Sequence, residues 1–144
     1  MQIKFEGGQE LEAALSQFEG VTAKAISRRA LKRAADPILA AYQSNTTRLT
    51  GRLIRSEVIG TRLNKRQTAL NRRESASAVE VHIGTNDPAG VQEEFGNVHQ
   101  APHPALRPAW DTEGGDAALA RIGKEIALET AKSVARAQRK ALRG

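Results

Sequence analysis

Two carboxylate pairs, a pair of histidines and a run of cations are the residues with chemistry to offer. Asp111 with Glu113, and Glu93 with Glu94, are of the type that serves general acid/base catalysis. Glu93 and Glu94 are adjacent in a turn and point different ways, and no nucleophile motif accompanies either pair. Catalysis is therefore not expected. His99 and His103 stand four apart, the spacing of a helical metal pair. Pro102 and Pro104 argue against a helix there. No third ligand is evident, and His82 reads, like the other two, as an ordinary surface histidine. Neither a metal nor a cofactor is expected.

The cations carry more information. Between Arg48 and Arg73 lie Arg48, Arg52, Arg55, Arg62, Lys65, Arg66, Arg72 and Arg73, against Glu57 alone. That net +7 exceeds the +6 of the whole chain. Such a cluster can neutralise phosphates. No aromatic residue interleaves with it, so base stacking is not indicated, and no helix-turn-helix frames it. Three readings stay open: a solvated basic loop, a loop meeting an acidic face of a protein partner, or a loop facing DNA. The basic C-terminal residues Lys132, Arg136, Arg139, Lys140 and Arg143 suit the end of a helix dipole.

These residues sit in a chain of 144, the size of one domain spanning 1–144. Cysteine is absent, which excludes disulfides, thiolate zinc sites and cysteine nucleophiles. No apolar run approaches the ~20 residues of a membrane helix, and Met1–Glu6 has no apolar signal core. The expectation is a soluble, basic, intracellular protein without a membrane partner. Its core is thin. Leu, Ile, Val and Phe total 30, alanine adds 24, and the aromatics are Phe5, Phe18, Tyr42, Phe95 and Trp110. Few large side chains bury little area, so an isolated monomer is expected to be marginal.

The elements that position these groups follow from periodicity. Ile3 and Phe5 alternate in a short first strand ended by Gly7-Gly8. Leu11, Leu15 and Phe18 have helical spacing. Val21 to Gln43 is the clearest helix, with a stripe of Ile26, Ala30, Ala34, Ile38, Ala41 and Tyr42. Pro37 should kink it or start a second segment capped by Asp36. Leu53–Arg62 and Ala78–Gly84 read as strands pairing as a hairpin, with a basic loop at about 62–77 between them. Val91–Gly96 is expected to be no more than a helical turn, and His99–Pro108 extended or turn-like. Asp116 should cap a last helix, about 116–142, with a stripe of Leu119, Ile122, Ile126, Thr130, Val134, Ala137 and Ala141. At roughly 40 Å it would be long for the domain. The expected fold class is α+β: a small antiparallel sheet with a long basic hairpin, packed against a kinked N-terminal helix and a long C-terminal helix.

Four local patterns, taken in order, resemble one family. They are Gly7-Gly8-Gln9-Glu10-Leu11; Thr50-Gly51-Arg52-Leu53 followed by Ser56; Val91-Gln92-Glu93-Glu94-Phe95-Gly96; and Pro102-His103-Pro104-Ala105-Leu106-Arg107-Pro108-Ala109. Together they are similar to the small neck and tail-completion proteins of long-tailed bacteriophages and prophages, described as head-tail joining or minor tail proteins. The resemblance runs from about residue 7 to 130. The chain departs from the family at Ser44–Leu49, where an Ala-Pro often precedes Thr-Gly, and at Asn97, where Thr is favoured.

The resemblance implies a structural role without catalysis, in the virion neck or upper tail, assembled in the cytoplasm of a bacterial host. It implies a homo-oligomeric ring that meets connector, tail-terminator or tail-tube proteins, with DNA passing through the channel as a further contact. Within that picture Arg62, Lys65, Arg66, Arg72, Arg73 and Arg107 are assembly or DNA-channel contacts. Gly51 and Gly96 allow tight turns. Pro104 and Pro108 stiffen the segment that presents Arg107. Phe95 and Trp110 anchor that segment against the core. The alternative is a basic nucleic-acid-binding protein that uses the Arg48–Arg73 cluster.

Overall fold

A computed structural model describes residues 20–71 and 78–143, together with Gln9, Ala13, Ser16 and Phe18; the side chain of Leu70 is excepted. The expected strand at Met1–Glu6 lies outside the described residues, as do Arg72 and Arg73. Gln9, Ala13 and Ser16 are helical, within the predicted first helical stretch.

Helix α1, Gly20–Asn45, is the spine. Its buried residues are Ile26, Ala30, Ala34, Ala35, Ile38 and Tyr42, nearly the stripe that the periodicity marks. Pro37 does not divide it: the helix is assigned without a break from Gly20 to Asn45, so no second segment begins at Asp36. Next come α2, Arg52–Ser56, and the strand β1, Glu57–Gly60. The first half of the predicted strand Leu53–Arg62 is therefore a helical turn. Gly51, at φ 74°, turns the chain into it, and the Arg55 N–H closes it on the Gly51 carbonyl.

The stretch expected to be a bare loop contains α3, Lys65–Leu70. Asn64 and Gln67 form a reciprocal capping box: the Asn64 side chain accepts from the Gln67 N–H, and the Gln67 side chain accepts from the Asn64 N–H. Strand β2, His82–Thr85, pairs antiparallel with β1, with Ile59 opposite Ile83. It is shorter than predicted, because Val79 and Val81 lie outside the ladder. The small sheet, the long N-terminal helix and the long C-terminal helix make the chain α+β, mostly helical.

Helix α4, Pro88–Phe95, is a full eight residues where only a turn was expected. Asp87 caps it through the Ala89 N–H, and Pro88 occupies its first turn. Helix α5, Leu106–Glu113, replaces the end of the predicted extended segment. Helix α6, Gly115–Ala141, follows directly. Its N-cap is Gly114 rather than Asp116, which lies in the first turn, where its charge complements the dipole. Helix α1 packs against α5 and α6.

The core is built of small residues. Among the described residues, six of the ten buried apolar ones are alanines: Ala30, Ala34, Ala35, Ala105, Ala109 and Ala118. One cluster joins Ile26 and Ala30 of α1 to Ile126 of α6, and another joins Tyr42 to Ala105 and Ala109. Small side chains contribute little area each, so polar ties supplement them. Glu129 of α6 is 2% exposed. Its carboxylate accepts from Arg29 Nε at 2.7 Å and meets Arg33 and Lys132, each at 3.2 Å. Arg121 donates to the Ala34 carbonyl of α1 and to both the side chain and backbone carbonyl of Glu113, tying three helices together.

The hydrogen bond from Arg29 holds the Glu129 carboxyl below the usual carboxylate range, against the cost of burial, and Lys132 and Arg33 add to the effect. A depressed acid contributes stability above its unfolded pKa and loses it as pH falls through the folded value. Glu129→Gln should therefore cost about 1–2 kcal/mol at neutral pH, a modest figure because the three cations are half exposed. The loss should vanish at acid pH. Urea unfolding at neutral pH and below pH ~4 measures both.

Candidate assembly surface

The sheet, α4 and α5 enclose an open groove. Val81, Ile83, Gly84 and Thr85 line one side; Gly90, Val91, Glu94 and Phe95 come from α4, and Leu106, Arg107 and Trp110 from α5. Tyr42 of α1 and Gln67 of α3 complete it, around a volume of about 540 Å³. Val91 is 62% exposed, Phe95 75% and Trp110 54%. The two aromatics predicted as core anchors thus stand out in solvent. The core beneath is filled instead by Tyr42, Ala105 and Ala109. The Trp110 indole lies over Gly114, so closely that a β-carbon there would meet the ring.

Glu94 holds the groove together. Helix α5 begins without a capping side chain of its own, since its N-cap is Ala105. The first N–H groups of a helix have no intrahelical partner. Here the Glu94 carboxylate takes them: Oε2 accepts from Ala105 at 2.8 Å and Leu106 at 3.0 Å, and Oε1 accepts from Arg107 at 3.0 Å. The next residue, Pro108, has no N–H to satisfy. A negative charge also suits the positive end of the α5 dipole. The Leu-Arg-Pro-Ala pattern and the Glu-Phe-Gly pattern are thus two halves of one joint.

Further bonds fix the chain between the halves. The His103 N–H donates to the Glu93 carbonyl at 2.7 Å, and Asn97 and Gln100 bridge each other. Gly96 makes the turn at φ 71°. A β-carbon there would sit 2.7 Å from the Gln100 carbonyl oxygen and 2.8 Å from the Pro102 nitrogen. Pro104 lies exposed just ahead of Ala105, outside any helix or strand, while Pro108 lies within the first turn of α5.

The candidate catalytic and metal residues are dispersed into structural roles. Glu94 is a helix cap. Glu113 pairs with Arg121 at 3.0 Å, and Asp111 is exposed. His103 Nδ1 lies 3.5 Å from Thr47 Oγ1, and the His99 N–H donates to Asn97. Among the described residues no three His, Asp or Glu side chains gather as a metal site. Of the basic cluster, Arg72 and Arg73 lie outside the described residues. Arg52 pairs with Asp87 at 3.0 Å. Arg62, Lys65 and Arg66 are exposed around α3, and Arg107 is exposed in the groove.

Residues 9–96 match the family described as "Bacteriophage HK97-gp10, putative tail-component". The chain belongs to the HK97-gp10-like family. It is a structural component of a phage tail, and its place is the virion. The matched span contains the Thr-Gly-Arg-Leu and Glu-Phe-Gly patterns and ends at Gly96, ahead of the Pro-rich segment. No curated protein and no solved structure is detectably similar. Among the described residues no helix is long and apolar enough to cross a membrane.

The sequence did not disclose the groove. Glu94 was legible only as half of an acidic pair, because its partners stand 11 to 13 residues away. Glu57 is, by sequence, the lone acid among the cations of 48–73. It is 2% exposed, with Oε2 unpartnered, and Oε1 lies 2.6 Å from Thr46 Oγ1. Thr46 has one hydroxyl proton and also faces the Tyr42 carbonyl at 3.0 Å. A protonated Glu57 can donate to Thr46 and let Thr46 donate to Tyr42. Burial raises the Glu57 carboxyl, against the lowering effect of Thr46. Burial, then Glu57 and Glu94, push the Tyr42 hydroxyl up to about 12.

Two outcomes follow for stability. Glu94→Ala strips three charge-assisted bonds and should cost about 2–3 kcal/mol, with Gly96→Ala also destabilising; thermal melts of both variants read this. An acid with a raised folded pKa contributes stability at low pH and loses it as pH rises through that value. Glu57→Gln, which mimics the protonated form, should therefore stabilise the protein by about 1 kcal/mol at neutral pH. It should give no gain at pH ~4, which denaturant titrations at the two pH values will show.

Proposed function

We propose that this tail component forms a ring at the junction of head and tail, completing the tail or joining it to the connector. Membership of the tail-component family carries the reading. The exposed groove supports it, because a chain whose large aromatics Phe95 and Trp110 stand in solvent gains burial only from a neighbour. Ring contacts are heterologous and close by rotation. The core of alanines suits a subunit whose stability is completed by association.

In this reading the partners are other copies of the chain and the connector, tail-terminator or tail-tube proteins above and below. Arg62, Lys65 and Arg66, with Arg72 and Arg73, dock the ring onto an acidic neighbour. Arg107 lies in the groove itself.

Particles assembled without this protein should appear by electron microscopy as unjoined heads and tails, or as tails with defective ends. Joined, infectious particles would overturn the proposal. Charge reversal at Arg62, Lys65 and Arg66 should reproduce the defect while leaving the fold intact, since all three side chains are exposed.

A further inference from the structure

Among the described residues two exposed surfaces stand out, the groove and the C-terminal end of α6. The groove sits by Tyr42, near the C-terminal end of α1. Helix α6 runs the other way. Arg121 meets Ala34, Ile126 meets Ile26 and Ala30, and Glu129 meets Arg29. From Arg121 to Ile126 the partners on α1 shift from Ala34 to Ala30 and Ile26, so α6 runs antiparallel to α1, away from the groove. Beyond Glu129 another 14 residues continue to Arg143, roughly 20 Å of helix. Residues 136–143 are all exposed. A chain cannot fill its own groove with this end.

The two surfaces are complementary in charge and in shape. Of the acids around the groove, Glu94 is taken up capping α5 and Asp87 and Glu113 pair with Arg52 and Arg121, which leaves the exposed Asp111 beside Trp110 to meet a cation; from Thr130 to Arg143 there are five cations and no acid. The groove presents large aromatic side chains, Phe95 and Trp110. The end of α6 presents a stripe of small apolar residues, Val134, Ala137 and Ala141, with Leu142 87% exposed beyond it. That spacing is the one an amphipathic helix uses to seat in an apolar groove. The α3 rim, with Lys65 and Arg66, is basic, so the incoming helix lies along the α4–α5 wall, where Asp111 neighbours Trp110.

We infer that the C-terminal end of α6 from one copy docks into the Phe95–Trp110 groove of the next. The inference rests on the ring reading and supplies its interface. The contact joins two different surfaces, so repeating it produces a head-to-tail series that closes into a ring.

Sedimentation velocity tests it with two exposed-site variants: a groove variant, Phe95→Glu with Trp110→Glu, and a helix variant, Val134→Glu with Arg139→Glu. The unaltered protein should oligomerise at millimolar concentration, less readily as salt is raised. Each variant alone should be monomeric. Mixed in equal amounts they should form a one-to-one dimer and nothing larger, because one intact groove meets one intact helix end. If a variant is misfolded by circular dichroism, single cysteines decide. The chain has no cysteine of its own, so Trp110→Cys mixed with Val134→Cys should yield a disulfide-linked dimer of the two variants. A variant that assembles like the parent, a folded mixture that stays monomeric, a cysteine pair that does not cross-link, or a parent chain monomeric at millimolar concentration would each overturn the inference. Oligomers indifferent to these substitutions remove only this interface. Joined particles lacking the protein remove the head–tail role.

Discussion

One carboxylate at the end of a short helix organises half of this structure. Glu94 stands in the last turn of α4 and opens α5 by accepting from the N–H groups of Ala105, Leu106 and Arg107. Without it, α5 would begin with three bare donors beside a half-buried face. With it, the loop between the helices is forced into a tight return. Gly96 becomes obligatory because the Gln100 and Pro102 backbone occupies the space of any side chain. Pro108 becomes harmless because its position in the first turn requires no donor. The acid, the glycine and the proline answer one geometric problem.

The joint also explains where the aromatics went. Once α4 and α5 are fixed against α1, the space beneath them is filled by Tyr42, Ala105 and Ala109. Phe95 and Trp110 are left exposed on the walls of an open groove. The core is correspondingly modest, and ionic ties around Glu129 and Arg121 supplement it. An assembling subunit can tolerate a thin core and an exposed apolar groove, because both are completed by the neighbour.

Legibility in the sequence followed the range of the interactions. The stripe of α1 and the first half of the α6 stripe were readable, because periodicity reports which face is buried. The antiparallel pairing of two strands around the basic segment was readable for the same reason. Local caps are legible signatures of helix starts: Asn64 with Gln67, and Asp87 before Pro88. The Glu94 cap was not readable, since nothing local ties it to residues 105–107. Burial of Glu129 and Glu57 was equally hidden. A carboxylate enters the interior only when a distant cation or hydroxyl receives it, and sequence spacing does not record that meeting. The four ordered patterns did point to the family, and the structure joins two of them through the Glu94 carboxylate.

Residue-resolved amide hydrogen exchange at Ala105, Leu106 and Arg107 tests the central joint most directly. These three amides have no intrahelical acceptor, so only the Glu94 carboxylate protects them. The account predicts slow exchange in the native protein and fast exchange at all three in Glu94→Ala, with the amides of α1 around Ile26 still protected. Fast exchange at the three amides in the native protein, or protection that survives loss of the carboxylate, would contradict it.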